Sequence, residues 1–115
     1  MAYDTALAEK VRAYLTGITG LVLEEKKMFG GLAFLVNGKM CINVSDNNLM
    51  CRFDPDTLPT ISKRPGYHPV VMKGKSLPGY CYVSPDGYNR PADFAYWLEC
   101  CLSFNDRAKV SRRHR

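Results

Sequence analysis

The residues best suited to chemistry are five cysteines, Cys41, Cys51, Cys81, Cys100 and Cys101, and two histidines, His68 and His114. A structural zinc site takes four ligands with paired short spacings such as C-x₂-C, and no such spacing occurs here. Cys100 and Cys101 are neighbours, about 100° apart on a helix, and cannot easily grip one ion together. Most of the cysteines therefore read as small buried hydrophobes, and no metal or cofactor is expected. Nucleophilic catalysis needs a base beside its nucleophile. His114 sits in a basic tail, and His68 lies in a proline-flanked stretch with no visible partner. Asp46, Asp54, Asp56, Asp86 and Asp93 fall where turns and helix caps use carboxylates. No catalytic residue is assigned, and the chain is expected not to be an enzyme.

Two glycine motifs invite a phosphate-binding reading. Gly74-Lys75-Ser76 echoes the end of a P-loop, but Pro69 occupies the first glycine position and Pro78 spoils the helix that should follow. Gly30-Gly31 has no third glycine at dinucleotide-binding spacing and reads as a bulge or sharp bend between strands. Tyr80 and Tyr82 share one face of a short strand. A sheet bearing aromatics and Lys/Arg can stack bases, yet the alternating aromatic pattern of a central RNA-binding strand is absent.

Placing any of these residues falls to the elements around them. The chain has 115 residues, 46% hydrophobic and 23% charged, which suits one soluble domain. Apolar runs such as Leu32 to Val36 are far shorter than the roughly 20 residues that span a bilayer. The N-terminus has neither a basic n-region nor an apolar h-region, so a cytoplasmic location, reduced thiols and no membrane partner are expected. The net charge is +5, and its placement matters more than its size. Five basic residues, Arg107, Lys109, Arg112, Arg113 and Arg115, follow Asp106, while the other eleven of the 16 balance all 11 acids. Residues 1–106 thus form a formally neutral domain, and 107–115 a basic tail that is expected to fray.

Leu7, Val11, Tyr14, Leu15 and Ile18 recur at helical spacing after a cap at Asp4 or Thr5. Strands are predicted over 22–29, 31–36, 39–45 and 49–53, with Asn37-Gly38 as a type I′ hairpin turn. Asp54-Pro55 starts a short helix that Pro59 limits or distorts. Short strands over 70–73 and 80–83 follow, separated by 74–79, with 64–69 as loop and Pro85-Asp86-Gly87 as a turn. Phe94, Trp97, Leu98, Cys101 and Leu102 mark a final helix from Pro91 to Asp106. The expected fold class is α+β, a two-layer sandwich. Helices pack on one face of an antiparallel sheet of about five or six strands.

The Asn37-Gly38 turn, continued without interruption, sets Phe34 opposite Cys41 and Ala33 opposite Ile42. One face then carries Ala33, Leu35, Met40, Ile42 and Val44, joined by Leu49, Cys51 and Phe53, and should meet the helices. The other carries Leu32, Phe34, Val36 and Cys41, too apolar for a fully solvated face. Either the segment 64–79 folds over it, or it is a partner surface, most simply that of a homodimer.

The stretch Lys27-Met28-Phe29-Gly30-Gly31-Leu32-Ala33-Phe34-Leu35-Val36-Asn37-Gly38-Lys39-Met40 resembles the core of the N-terminal domain of the TfoX/Sxy family of competence regulators. The opening Met1-Ala2-Tyr3-Asp4, Arg64-Pro65-Gly66, Met72-Lys73-Gly74 and Gly79-Tyr80-Cys81-Tyr82-Val83 are similar to that family too. The resemblance covers residues 1–105. It implies a two-layer α/β domain with an antiparallel sheet, and a link to accessory activators of DNA-uptake genes that work with the cyclic-AMP receptor protein. Those regulators carry a second, helical domain, and this chain reads as a stand-alone single-domain member. The resemblance implies no catalytic residue at any position.

The expectation is a non-enzymatic protein-interaction module, regulatory in kind, whose partner is a second copy of itself or another protein. The alternatives are weak or indirect nucleic-acid binding through the tail, and a small-ligand-binding or enzymatic site near Gly30-Gly31 and His68. Deleting 107–115 is therefore expected to abolish any DNA affinity in fluorescence anisotropy. The full chain should lose affinity with salt at a log–log slope of about −4 to −5 if all five charges meet phosphates. Retained binding by residues 1–106 would place the contact on the folded body.

Overall fold

The computed structural model describes residues 3–28 and 30–105, the side chains of Met72 and Pro78 excepted. Helix α1 (Thr5–Thr16) begins where Asp4 Oδ1 accepts the backbone N–H of Ala6 at 2.9 Å and of Leu7 at 3.1 Å. Strands β1 (Leu23–Met28), β2 (Gly31–Val36), β3 (Lys39–Ser45) and β4 (Asn48–Arg52) then form an antiparallel meander. A 3₁₀ turn (Pro55–Thr57), capped by Asp54, leads into α2 (Leu58–Ile61), whose first turn contains Pro59. The proline thus starts this helix rather than limiting it.

The next segment departs from expectation. Residues 64–79 do not lie as two loops around a short strand; they supply most of a long hairpin, β5 (Tyr67–Met72) and β6 (Lys75–Val83). Its turn is Lys73-Gly74, with φ of 53° and 78°. A lysine in the left-handed region is not a residue that a turn search expects. Pro85-Asp86-Gly87 opens a one-turn helix, α3 (Pro85–Tyr88), and α4 (Pro91–Asn105) closes the described chain. Among the described residues, six strands run in the order β1-β2-β3-β4-β6-β5, each pair antiparallel.

One extra residue decides which side chains face the helices. Val36 pairs with Lys39 and Leu35 with Met40, as the turn requires, but Phe34 pairs with Ile42. Cys41 is the odd residue of a β-bulge. Beyond it every β3 side chain lies on the face opposite to the one an uninterrupted register gives. Leu32, Phe34, Val36, Cys41, Ile42, Val44, Leu49 and Cys51 therefore form one apolar layer under α1 and α4, meeting Leu7, Val11, Leu15, Phe94, Trp97 and Leu98. The helices all pack on this face.

This corrects the sequence reading in both directions. Ile42, Val44, Leu49, Cys51 and Phe53 do meet the helices, but Ala33, Leu35 and Met40 do not. Leu32, Phe34, Val36 and Cys41, expected as a dimer surface, are the floor of the helix-covered core; Phe34 is fully buried. The segment 64–79 does not fold over them either: most of it lies within the sheet as β5 and β6. On the other face Val70 and Leu77 join Ala33, Leu35, Met40 and Met50 in a second apolar cluster.

Polar contacts fasten the layers. Arg12 of α1 bonds Glu25 of β1 through Nε at 2.5 Å and Nη2 at 2.7 Å. Tyr14 donates to Glu99 of α4 at 2.5 Å, and its ring meets Phe94 edge-on at 6.0 Å. Buried Trp97 donates its Nε1–H to the Gly87 carbonyl at 3.1 Å. The backbone of Arg64-Pro65-Gly66 crosses α3 so closely that a Cβ on Gly66 would stand 2.7 Å from the Gly87 Cα.

The two central glycines act differently. Gly30 has φ of 73° in open space, whereas a Cβ on Gly31 would stand 2.1 Å from the Val44 carbonyl oxygen. Gly30→Ala should cost about 1–2 kcal/mol through the left-handed backbone, and Gly31→Ala up to about 3 kcal/mol through backbone displacement. Urea titrations with wild-type midpoints for both would contradict this. Phe34→Ala is expected to cost about 3–5 kcal/mol as a core cavity. Phe34→Asp should fail to fold rather than give folded monomers, as circular dichroism would report.

Candidate interaction surface

The face of the sheet without helices is built from alternate residues of all six strands. β1 contributes Glu24, Lys26 and Met28; β2 contributes Ala33 and Leu35; β3 contributes Met40 and Asn43. β4 adds Met50 and Arg52, which pair with Tyr82 and Tyr80 of β6. His68 of β5 stands opposite Tyr82. Ala33, Leu35, Met40, Met50 and Val70 are buried, and above them Met28, Leu77, Tyr80 and Tyr82 remain partly open to solvent. The Arg52 guanidinium lies 5.7 Å from the centre of the Tyr80 ring, and its Nη1 donates to the Met40 carbonyl at 3.3 Å. This holds the arginine beside the Tyr80 ring. The result is an apolar floor with an amphipathic rim of tyrosine, methionine and arginine.

Two shallow clefts of about 200 Å³ flank Phe53. One opens beside Leu77 and Tyr80, with Tyr67 reaching it from the helix-covered side. The other lies against α4, lined by Thr57, Thr60, Tyr96 and Cys100. Beside it the Arg64 guanidinium stacks on the Tyr96 ring at 3.6 Å and meets Asp93 at 3.3 Å. Half-buried Cys100 is not an activated nucleophile: burial pushes its thiol up, against the opposing effects of the Tyr96 hydroxyl and Arg64.

The other four cysteines converge between α4 and the middle of the sheet. Cys51 pairs with Cys81 across β4 and β6, and Cys101 of α4 reaches both Cys41 and Cys51. All five thiols are free. The sulfur contact with Cys101, reinforced by burial, pushes the Cys41 thiol up; burial does the same to Cys51. Cys41 and Cys51 thus pack as protonated, small apolar groups, while the same sulfur contacts with Cys41 and Cys51 draw the Cys101 thiol down. Among the described residues, no three His, Cys, Asp or Glu side chains are grouped to hold a metal ion.

The motif residues singled out in the sequence sit around one end of the helix-covered core and at the turns. Lys27 and Met28 end β1, and Gly30 and Gly31 turn the chain into β2. Asn43, fully buried, donates from Nδ2 to the Met28 carbonyl at 3.0 Å and ties this turn to β3. Asn37 and Gly38 have φ of 55° and 83° and form the expected hairpin turn. Lys39 donates from Nζ to the Asn105 carbonyl at the end of α4, 3.2 Å away. Phe29 and the tail residues Arg107, Lys109, Arg112, Arg113 and Arg115 lie outside the described residues. Gly74-Lys75-Ser76 is hairpin turn and strand, not a phosphate loop.

Arg52 and His68 were not grouped with Tyr80 and Tyr82 by spacing. The residues come from separate strands, and the pairing of β4 with β6 crosses over the β5 hairpin. The only trace in the sequence is the Tyr-x-Tyr alternation.

Among curated proteins, none matches this chain. The family profile described as the TfoX N-terminal domain matches residues 18–105. That span starts just after α1, runs to the end of α4 and takes in the whole sheet, the Gly30-Gly31 turn and the helix-free face. The chain belongs to the TfoX N-terminal domain family.

Proposed function

We propose that this protein is a non-enzymatic interaction module that acts through protein contacts made by its helix-free sheet face. The carrying observation is the composition of that face: partly exposed Met28, Leu77, Tyr80 and Tyr82 beside Arg52, above a buried apolar layer. Tyr, Met and Arg are enriched at the cores of protein interfaces, and Tyr and Arg carry much of the binding energy there. The buried layer beneath keeps the face in one shape before a partner arrives, which lowers the entropic cost of binding. Membership in the TfoX N-terminal domain family supports a regulatory role, in the competence-related sense, exerted on a protein partner in the cytoplasm. None of the described helices is long and apolar enough to cross a membrane.

Nucleic acid is the second reading, because Tyr80, Tyr82, Arg52, Lys26 and His68 share this face. The formal neutrality of residues 1–106 weighs against it. A photo-crosslinking residue at Tyr82 separates the two in cells. Discrete, nuclease-resistant protein adducts are expected, and Arg52→Ala should reduce their yield about tenfold as loss of an interface anchor. Nuclease-sensitive adducts would favour the nucleic-acid reading. Adducts that form equally from a probe at Lys63, on the helical side, would contradict a role for this face.

A further inference from the structure

We infer that the β1 edge of the sheet is a self-complementary dimer interface, joining two copies of the chain into one continuous sheet. Among the described residues, β1 ends the strand order and pairs only with β2. Glu24, Glu25, Lys26 and Lys27 are exposed, and Val22, just before the strand, is 68% exposed, the most of any large apolar residue described. The Asn37 N–H donates to the Val22 carbonyl at 2.8 Å, which sets the phase of the edge. Val22, Glu24 and Lys26 direct their backbone groups toward β2, and those of Leu23, Glu25 and Lys27 point outward.

Two copies of one strand can pair antiparallel only about a two-fold axis perpendicular to the sheet, and facing residues must then lie on the same side. Centred on Glu25, the row on the helix-free side places Val22 against the partner's Met28 and Glu24 against the partner's Lys26. The two-fold repeats both pairs. Every contact in that row is apolar with apolar or acid with base. Leu23, Glu25 and Lys27 exchange their outward backbone hydrogen bonds with the partner's Lys27, the partner's Glu25 and the partner's Leu23. The like-charge pair on the axis is compensated, because Arg12 holds Glu25 in each copy at 2.5 and 2.7 Å. Registers shifted by one residue are worse: centred on Lys26, Lys26 meets the partner's Lys26 and Glu24 faces the partner's Met28; centred on Glu24, Glu24 meets the partner's Glu24 and Val22 faces the partner's Lys26. Charges on an edge strand ordinarily block pairing. Here their order is its own complement.

Sedimentation of the full chain up to about 100 μM tests this. Wild type is expected to dimerise. Lys26→Glu or Glu24→Lys alone puts like charges opposite each other and should weaken self-association by about tenfold or more, with circular dichroism and melting unchanged at these exposed sites. The double swap Glu24→Lys with Lys26→Glu should restore the dimer. An equimolar mixture of the two single variants should give a heterodimer. A wild type that stays monomeric throughout, or a dimer indifferent to both single variants, would overturn the inference.

Discussion

The single extra residue at Cys41 is the constraint on which the rest of this structure depends. A β-bulge costs one unpaired position and a local bend. In return Ile42 and Val44 join Leu32, Phe34 and Val36 on one side of the sheet, giving α1 and α4 an unbroken apolar floor. Without it, Ile42 and Val44 would join Ala33 and Leu35, and Leu32, Phe34 and Val36 would lie with Asn43 on the opposite face. Because full burial of each large aliphatic or aromatic side chain is worth about 1.5–3 kcal/mol, the correct grouping outweighs the local loss of regularity. The same bulge carries Asn43 to the other face, where its amide fixes the Met28 carbonyl and with it the tight passage of Gly31 past Val44.

Much of this was legible in the sequence. Asp4, Asn37-Gly38 and Pro91 mark their elements through local chemistry, and the helices, the first four strands and the α+β class follow from them. The stretch from Lys27 to Met40 points to the family that the profile match shows. The bulge was not legible, because Cys41 has neither the shape nor the polarity that announces one, and a one-residue slip exchanges every side chain beyond it. Leu32, Phe34 and Val36 were thus assigned to a partner surface. The physical premise, that three large side chains on one strand need a cover, was sound; the cover is α1 and α4. The β5–β6 hairpin was misjudged for a similar reason, since Lys73 takes the left-handed conformation usually left to Asn, Asp or Gly.

On the proposed reading, function is divided between the helix-free face of the sheet and its edge. The helix-covered face, cysteines included, is committed to stability. The opposite face holds its own apolar layer and keeps Tyr80, Tyr82 and Arg52 at the surface, in a fixed arrangement suited to recognition. β1 leaves this face uninterrupted up to the sheet edge, so a second copy paired there would extend the recognition surface rather than cover it. A small domain with shallow clefts can in this way act through area and shape.

Cross-strand nuclear Overhauser effects test the central claim most directly. The account predicts contacts between the backbones of Phe34 and Ile42 and of Ala33 and Asn43, with Cys41 lacking a partner of its own. Contacts of Phe34 with Cys41 and of Ala33 with Ile42 would contradict it, and would exchange the two faces of the sheet.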